Sequence, residues 1–91
     1  VPMPRRYIAE SVMDRIAACR VYQGSAYTDS SALIYFMGSM ERNLMHPATR
    51  QQLEYILTML RDRGEKETFH YIKHSLLKGK PFPWDETHKE D

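Results

Sequence analysis

Apolar residues recur every three or four positions over most of this chain, a spacing that predicts α-helices. The first helix is predicted from Arg5 to Tyr22. Its apolar stripe consists of Ile8, Val12, Ile16 and Cys19. Pro4 precedes this helix and Gly24 follows it, and these residue types suit the beginning and the end of a helix. The pattern therefore predicts a long first helix with one buried face.

A second helix is predicted over residues 28–44, with Thr28 or Asp29 as its N-terminal cap. Its buried seam would consist of Leu33, Met37, Met40 and Leu44. A buried strand over the continuous apolar run Ala32–Met37 is the alternative. We favour the helix because the same spacing continues for two more turns beyond Gly38.

Two further helices are predicted, one on each side of Gly64. The third begins at Pro47, since proline is well tolerated in the first turn of a helix. The fourth extends from Glu65 to Gly79, with acidic residues near its start and basic residues near its end, as the helix dipole favours. Their predicted stripes are Leu53, Ile56, Leu57 and Leu60 in the third helix, and Phe69, Ile72 and Leu76 in the fourth. The short connections favour antiparallel neighbours.

The predicted fold is therefore all-α: a small four-helix domain over residues 1–80, followed by an extended C-terminal arm and an acidic tail over residues 81–91. In the arm, Pro81 and Pro83 alternate with Phe82 and Trp84. Each proline favours extended backbone at itself and at the residue before it. We expect the two aromatic rings to pack beside Leu76 and Leu77, on the same chain in preference to a second subunit.

The composition of the chain restricts the class of protein to which it can belong. The chain has 91 residues, which fits one small domain, and its net charge is only +1. Residues 1–80 hold twelve Lys/Arg against eight Asp/Glu, a net +4, and residues 81–91 hold one against four, a net −3. The single cysteine excludes an intrachain disulfide, and the longest apolar run is far shorter than the ~20 residues of a membrane span. We therefore predict a cytoplasmic protein with no membrane partner.

No motif for catalysis or for a cofactor is present. His70 and His74 stand four residues apart, a spacing that lets both imidazoles share a metal ion. The residues that could complete such a site stand at no recognised spacing: His46, His88, Glu67 and Cys19. There is also no glycine-rich phosphate loop and no serine in a hydrolase-type elbow. The sequence therefore predicts no metal, no cofactor, no small-molecule substrate and no enzymatic activity.

The surplus of apolar residues predicts a protein–protein interface. A small bundle cannot bury every side of every helix, and the start of the second helix is apolar almost all round. The candidate interface residues are Ile34, Tyr35, Phe36, Tyr55, Met59, Tyr71, Phe82 and Trp84. We therefore expect a small interaction or regulatory module that forms a homodimer.

The alternative is a nucleic-acid-binding regulator that uses helices three and four as a helix-turn-helix. The basic residues available for this role are Arg61, Arg63, Lys66, His70, Lys73, His74 and Lys78. Glu65 and Glu67 weaken this interpretation, because they occupy the turn that would meet the phosphates first.

Overall fold

A computed structural model of the protein describes residues 3–86, and every regular element within this range is helical. The helices are α1 (Arg5–Gln23), α2 (Ser31–Met37), α3 (Met40–Leu44), α4 (Pro47–Tyr71) and α5 (Pro83–Glu86). A 3₁₀ turn at Gly24–Ala26 follows α1, and a π-helical turn at Ile72–Leu76 follows α4. The predicted all-α class is therefore confirmed. The predicted acidic tail beyond residue 86 lies outside the described residues.

Helix α1 agrees closely with its prediction. It begins at Arg5 and ends one residue beyond the predicted Tyr22. Gly24 has a φ of 52° and donates its N–H to the carbonyl of Arg20, which closes the helix. The whole predicted stripe is buried: Ile8, Val12, Ile16 and Cys19.

The predicted second helix is wrong in its length, because the chain forms α2 and α3 in its place. α2 ends at Met37, and Ser39 adopts extended backbone before α3 begins. The Ser39 hydroxyl accepts the Arg42 N–H at 3.3 Å and so caps α3. Because this break changes the helical phase, Met40 and Leu44 are exposed rather than buried, and Met37, the last residue of α2, is exposed as well. The predicted N-cap is also wrong, since Ser30 occupies that position without a side-chain cap bond.

Helix α4 folds back on itself at Gly64. This glycine has φ 88° and ψ 174°, which no α-helical residue adopts. The rings of Tyr55 and Tyr71 lie 5.8 Å apart, whereas sixteen positions of straight helix would separate them by about 24 Å. Residues 47–63 and 65–71 therefore form two antiparallel segments of a hairpin. The two helices predicted around Gly64 are present as these segments.

The core forms where α1 and α2 meet both segments of the hairpin. The hairpin contributes the predicted stripe of its first segment, in which all four residues are fully buried: Leu53, Ile56, Leu57 and Leu60. α2 contributes Ala32, Leu33 and Phe36. Thr68 is the polar member of the second segment, and its hydroxyl donates to the Gly64 carbonyl at 2.8 Å.

The chain turns into the C-terminal arm, residues 81–86, through a glycine-based helix end. Lys80 donates its N–H to the Ser75 carbonyl at 3.0 Å, and Gly79, with φ 77°, donates to the Leu76 carbonyl at 3.1 Å. These are the two bonds of a Schellman motif. The arm then forms one helical turn, in which the Asp85 carboxylate accepts the Phe82 N–H at 3.0 Å. The predicted C-terminal arm is therefore present, and its part Pro83–Glu86 is helical rather than extended.

Candidate functional site

The C-terminal arm packs on its own chain. Phe82 is only 1% exposed, and its ring meets that of Tyr55 edge to face at 6.0 Å. Trp84 stacks on Phe82 with the ring centroids 4.7 Å apart and lies 5.3 Å from Tyr55. The two rings pack against the aromatic side of the hairpin. Leu77, which was predicted to contact them, is half exposed. The arm therefore completes the domain instead of projecting from it.

Arg5 fastens this arm to the first helix. Its Nη1 donates to the Lys80 carbonyl at 2.6 Å and to the Leu76 carbonyl at 3.2 Å. The guanidinium carbon lies 4.7 Å from the centroid of the Phe82 ring. One cation thus satisfies two carbonyls at a helix end and also covers an aromatic face, an arrangement that suits Arg better than Lys.

These contacts correct the predicted interface set. Phe36 is fully buried beneath the Arg15 guanidinium, and Phe82 is buried by the arm contacts, so neither is available to a partner. Tyr55, Tyr71 and Trp84 are partly buried and pack against the core. Sequence spacing placed these aromatics off the buried stripes. It could not show that the hairpin and the arm would cover them.

Ile34 and Tyr35 remain exposed, at 69% and 66%, on the outer side of α2. Tyr22 of α1 is 82% exposed and borders the same cleft as Tyr35. We call this cleft the α1–α2 groove. It has a volume of about 440 Å³ and is lined by Arg15, Ala18, Cys19, Tyr22, Gln23 and Tyr35. Tyr22 was not among the residues predicted for an interface, although Gly24 marks the end of α1 just after it.

Arg15 fixes the charged end of this groove. It donates to the Ser11 hydroxyl and forms an ion pair with Glu41 of α3. Cys19 lines the floor, and burial raises the pKa of its thiol, which therefore stays protonated at neutral pH. The groove thus offers aromatic walls, an unreactive thiol and one ion pair at its edge. This chemistry suits docking of an amphipathic surface.

A second cleft, of about 350 Å³, lies between the two segments of the hairpin. Met59 and Arg63 line it from the first segment, and Glu67, His70 and Tyr71 line it from the second. The Tyr71 hydroxyl is buried without a hydrogen-bond partner among the described residues, and burial raises its pKa to about 12. This cleft brings Met59, predicted for a protein interface, beside Arg63 and His70, predicted for nucleic acid.

The predicted nucleic-acid residues lie on exposed surface of the hairpin and of the turn after it. Arg61 is paired with its neighbour Asp62 at 2.7 Å, and this pairing lowers the pKa of the Asp62 carboxyl. The use of the hairpin as a helix-turn-helix stays a prediction. Five basic residues of the second segment and the turn after it remain exposed; we call them the basic face: Lys66, His70, Lys73, His74 and Lys78.

Glu65 does not point its charge toward this face. Its carboxylate forms an ion pair with Arg20 of α1 and accepts the Tyr27 hydroxyl at 3.4 Å. The Arg20 guanidinium also lies over the Tyr27 ring, 5.1 Å from its centroid. The bond to Glu65 raises the pKa of Arg20, which therefore keeps its positive charge at neutral pH. One of the two acids that weakened the nucleic-acid interpretation is thus neutralised by α1.

The two histidines of the basic face are close together. The rings of His70 and His74 have centroids 4.3 Å apart at an interplanar angle of 38°. Desolvation and the positive charges around it, from His70 and from Lys73, Lys78 and Lys80, lower the pKa of His74. Within residues 3–86 no group of three His, Cys, Asp or Glu side chains is arranged to hold a metal ion. The candidate ligand His88 lies outside the described residues.

Comparison with known proteins identifies no relative. No protein family matches the sequence, and neither the curated proteins nor the solved structures give a significant match. Among the described residues, none of the helices combines the length and apolar character needed to cross a membrane. The function of the protein is therefore inferred from the surfaces described above.

Proposed function

We propose that this protein is a small, non-catalytic helical interaction module of regulatory type, and that it forms a homodimer. The observation that supports this proposal is the exposed apolar surface around the α1–α2 groove. We call it the α1–α2 surface: Tyr22 and Tyr35 line the groove, and Val21, Ile34 and Met37 are exposed elsewhere on the same two helices. Single exposed apolar residues are ordinary, but two exposed tyrosines that line one groove are typical of an interaction site.

The two tyrosines of this surface would supply part of an interface between two copies. A Tyr side chain covers about 150–250 Å² when it is buried, so Tyr22 and Tyr35, at 82% and 66% exposure, offer together roughly 300 Å². A standard interface buries about 800 Å² on each partner. The three aliphatic residues of the α1–α2 surface and the walls of the groove add to the tyrosines.

A two-fold dimer also fits the chemistry of this surface. In such a dimer each copy presents the same patch, so a residue on one copy must find its complement on the other. Tyr22 projects beyond the core beside a groove that is wide enough to receive a ring. The Arg15–Glu41 pair places both charge signs at the edge of the groove, which suits a self-complementary polar rim. We further propose a cytoplasmic location, in keeping with a single, buried, free cysteine.

Light scattering at micromolar concentration tests the dimer. We expect the parent protein to have twice the mass of one chain, and Tyr35→Glu to be a monomer because a carboxylate would be buried at the interface. Leu77→Glu is the matched control, since Leu77 is half exposed on a different surface. A parent protein that is monomeric, or a Tyr35→Glu variant that remains a dimer, would contradict the proposal.

Nucleic-acid binding by the basic face is a second candidate function. The observation that favours it is the pairing of Glu65 with Arg20, which leaves Lys66, Lys73 and Lys78 exposed with one fewer acid beside them. Binding to phosphates falls steeply with salt because counterions are released on binding. Retention of the protein on a DNA column at low salt, lost on raising the salt, would support this function. Flow-through at low salt would exclude it.

A further inference from the structure

The His70–His74 pair lies at the centre of the basic face. At ~100° per residue, His70 points about 160° away from the buried side of its segment, where Thr68 and Ile72 enter the core. His74 is one turn further along, and its ring packs against that of His70. Both residues are exposed, so solvent reaches the two imidazoles on one short stretch of helix.

The charges around this pair favour an anion over a cation. Among the described residues, Lys73, Lys78 and Lys80 are the charged groups that act on His74 besides His70, and all of them are positive. A metal ion held by two imidazoles would meet this same positive field, and it would need further ligands. An oxyanion would gain both charge and hydrogen-bond donors from the same groups.

We propose that His70 and His74, with the lysines around them, form a binding site for the phosphates of a nucleic-acid backbone, and that this site tightens when the imidazoles take up protons. The inference rests on the second candidate function and states where its phosphates bind. A neutral imidazole has one N–H donor, whereas the protonated ring has two and a positive charge. Each proton comes from solvent when the phosphate binds and returns to solvent when it leaves.

Between residues 3 and 86, the acidic groups that line clefts beside the pair lie to its sides. Glu67 lines the hairpin cleft with His70, opposite Arg63 of the first segment. On the other flank, Glu10 and Asp14 of α1 line a separate cleft with Leu77. None of these three carboxylates is among the groups that shift the pKa of His74. Near neutral pH an imidazolium here is therefore opposed by its neighbours, and a bound phosphate supplies the missing counter-charge.

Fluorescence anisotropy with a short, fluorescein-labelled DNA duplex tests the proposal at constant ionic strength. By linkage, a rise of one unit in the pKa of one imidazole on binding corresponds to a tenfold gain in affinity. We expect the parent protein to bind at least about tenfold more tightly near pH 5.5 than near pH 8, the range over which His titrates. The double variant His70→Gln/His74→Gln should bind with nearly the same affinity at both pH values.

His46→Asn is the matched control. His46 caps α4 through its Nδ1, which accepts the Ala48 N–H at 3.1 Å, and Asn preserves an acceptor at an N-cap. This variant should keep the pH dependence of the parent. The C2-proton NMR shifts of His70 and His74 should also titrate at higher pH in the presence of the duplex than in its absence.

The possible results separate the site from the function on which it rests. Salt-sensitive binding without pH dependence would overturn the histidine site and leave nucleic-acid binding standing. Equal pH dependence in the parent and the double variant would overturn it as well. No binding at low salt at either pH would overturn both. Tighter binding to poly-glutamate or to anionic vesicles than to the duplex would overturn the choice of a nucleic-acid backbone as the ligand.

Discussion

Replacing Phe82 with Ala tests whether the C-terminal arm belongs to the core. The ring is 1% exposed, and three groups surround it: the Tyr55 ring at 6.0 Å, the Trp84 ring at 4.7 Å and the Arg5 guanidinium at 4.7 Å. Removing it leaves a cavity among these groups, and a cavity adds its own cost to the lost burial of the ring. We expect the free energy of unfolding to fall.

The size of the loss follows from the depth of burial. Phe→Ala changes in protein cores cost about 3–5 kcal/mol. Trp84 beside Phe82 is only partly buried and can relax into the space, so we expect the low end, about 3 kcal/mol. A domain of this length has a total stability of roughly 5–14 kcal/mol. At about 4–8 °C per kcal/mol, the melting temperature should fall by roughly 12–24 °C.

Urea denaturation monitored by circular dichroism and by Trp84 fluorescence measures this loss. Trp84 is the sole tryptophan of the chain, so its emission reports the arm directly. Leu44→Ala is the control, because Leu44 is 84% exposed and an exposed apolar truncation costs within about 0.5 kcal/mol. In Phe82→Ala the Trp84 emission should also shift to longer wavelength in the native state, since its stacking partner is gone.

Two results would refute this reasoning. A loss below about 1 kcal/mol would mean that Phe82 contributes no more than an exposed residue does. A native Trp84 emission that equals that of free tryptophan in the parent protein would mean that the arm does not pack on the hairpin. Either result would also mean that the contacts between Arg5 and the arm do not stabilise the domain as described above.

Three further predictions concern single residues. Gly64→Ala should cost more than about 1 kcal/mol in a melting experiment, because φ 88° strains any residue with a Cβ; Gly38→Ala, at φ −92°, should be neutral or stabilising. Arg5→Lys should cost about 1–3 kcal/mol through loss of the paired carbonyl bonds, and the exposed Arg6→Lys should be neutral. The pKa of Tyr71 is raised to about 12 from an ordinary value near 10. The protonated hydroxyl therefore contributes fully to the stability of the folded state below about pH 10, and this contribution is lost as the pH rises through 12. Tyr71→Phe should therefore weaken the alkaline loss of stability in urea titrations, and at neutral pH it should cost little because the hydroxyl has no partner among the described residues.

The sequence predicted the parts of the fold that depend on local spacing. The stripes of α1 and of the first hairpin segment keep a regular three- and four-residue spacing within one uninterrupted helix, so their burial could be inferred. The helix predicted over residues 28–44 failed because its spacing remains regular across Gly38 and Ser39. Ser39 adopts extended backbone and interrupts the helix there, although no proline in the sequence marks this position.

The candidate site was harder to predict because it depends on contacts distant in sequence. Tyr55 and Trp84 are far apart along the chain, and only the hairpin and the arm together cover them. The pairing of Glu65 with Arg20 joins α1 to the hairpin across 45 positions, and no local pattern encodes it. Exposure of Ile34 and Tyr35 was predictable, since a short helix with one buried side must leave the other side uncovered.

The bond from Arg5 to the Lys80 carbonyl has a consequence for the order of folding. It joins residues 75 positions apart, and closing a loop of that length costs about 4 kcal/mol of chain entropy. During synthesis α1 emerges first, but the partners of its first turn emerge among the last described residues. Until then the apolar stripe of α1 is incompletely covered. We therefore expect the apolar stripe of the nascent chain to stay exposed to solvent or bound by chaperones until the arm has been synthesised. The chain should then fold in a single cooperative step.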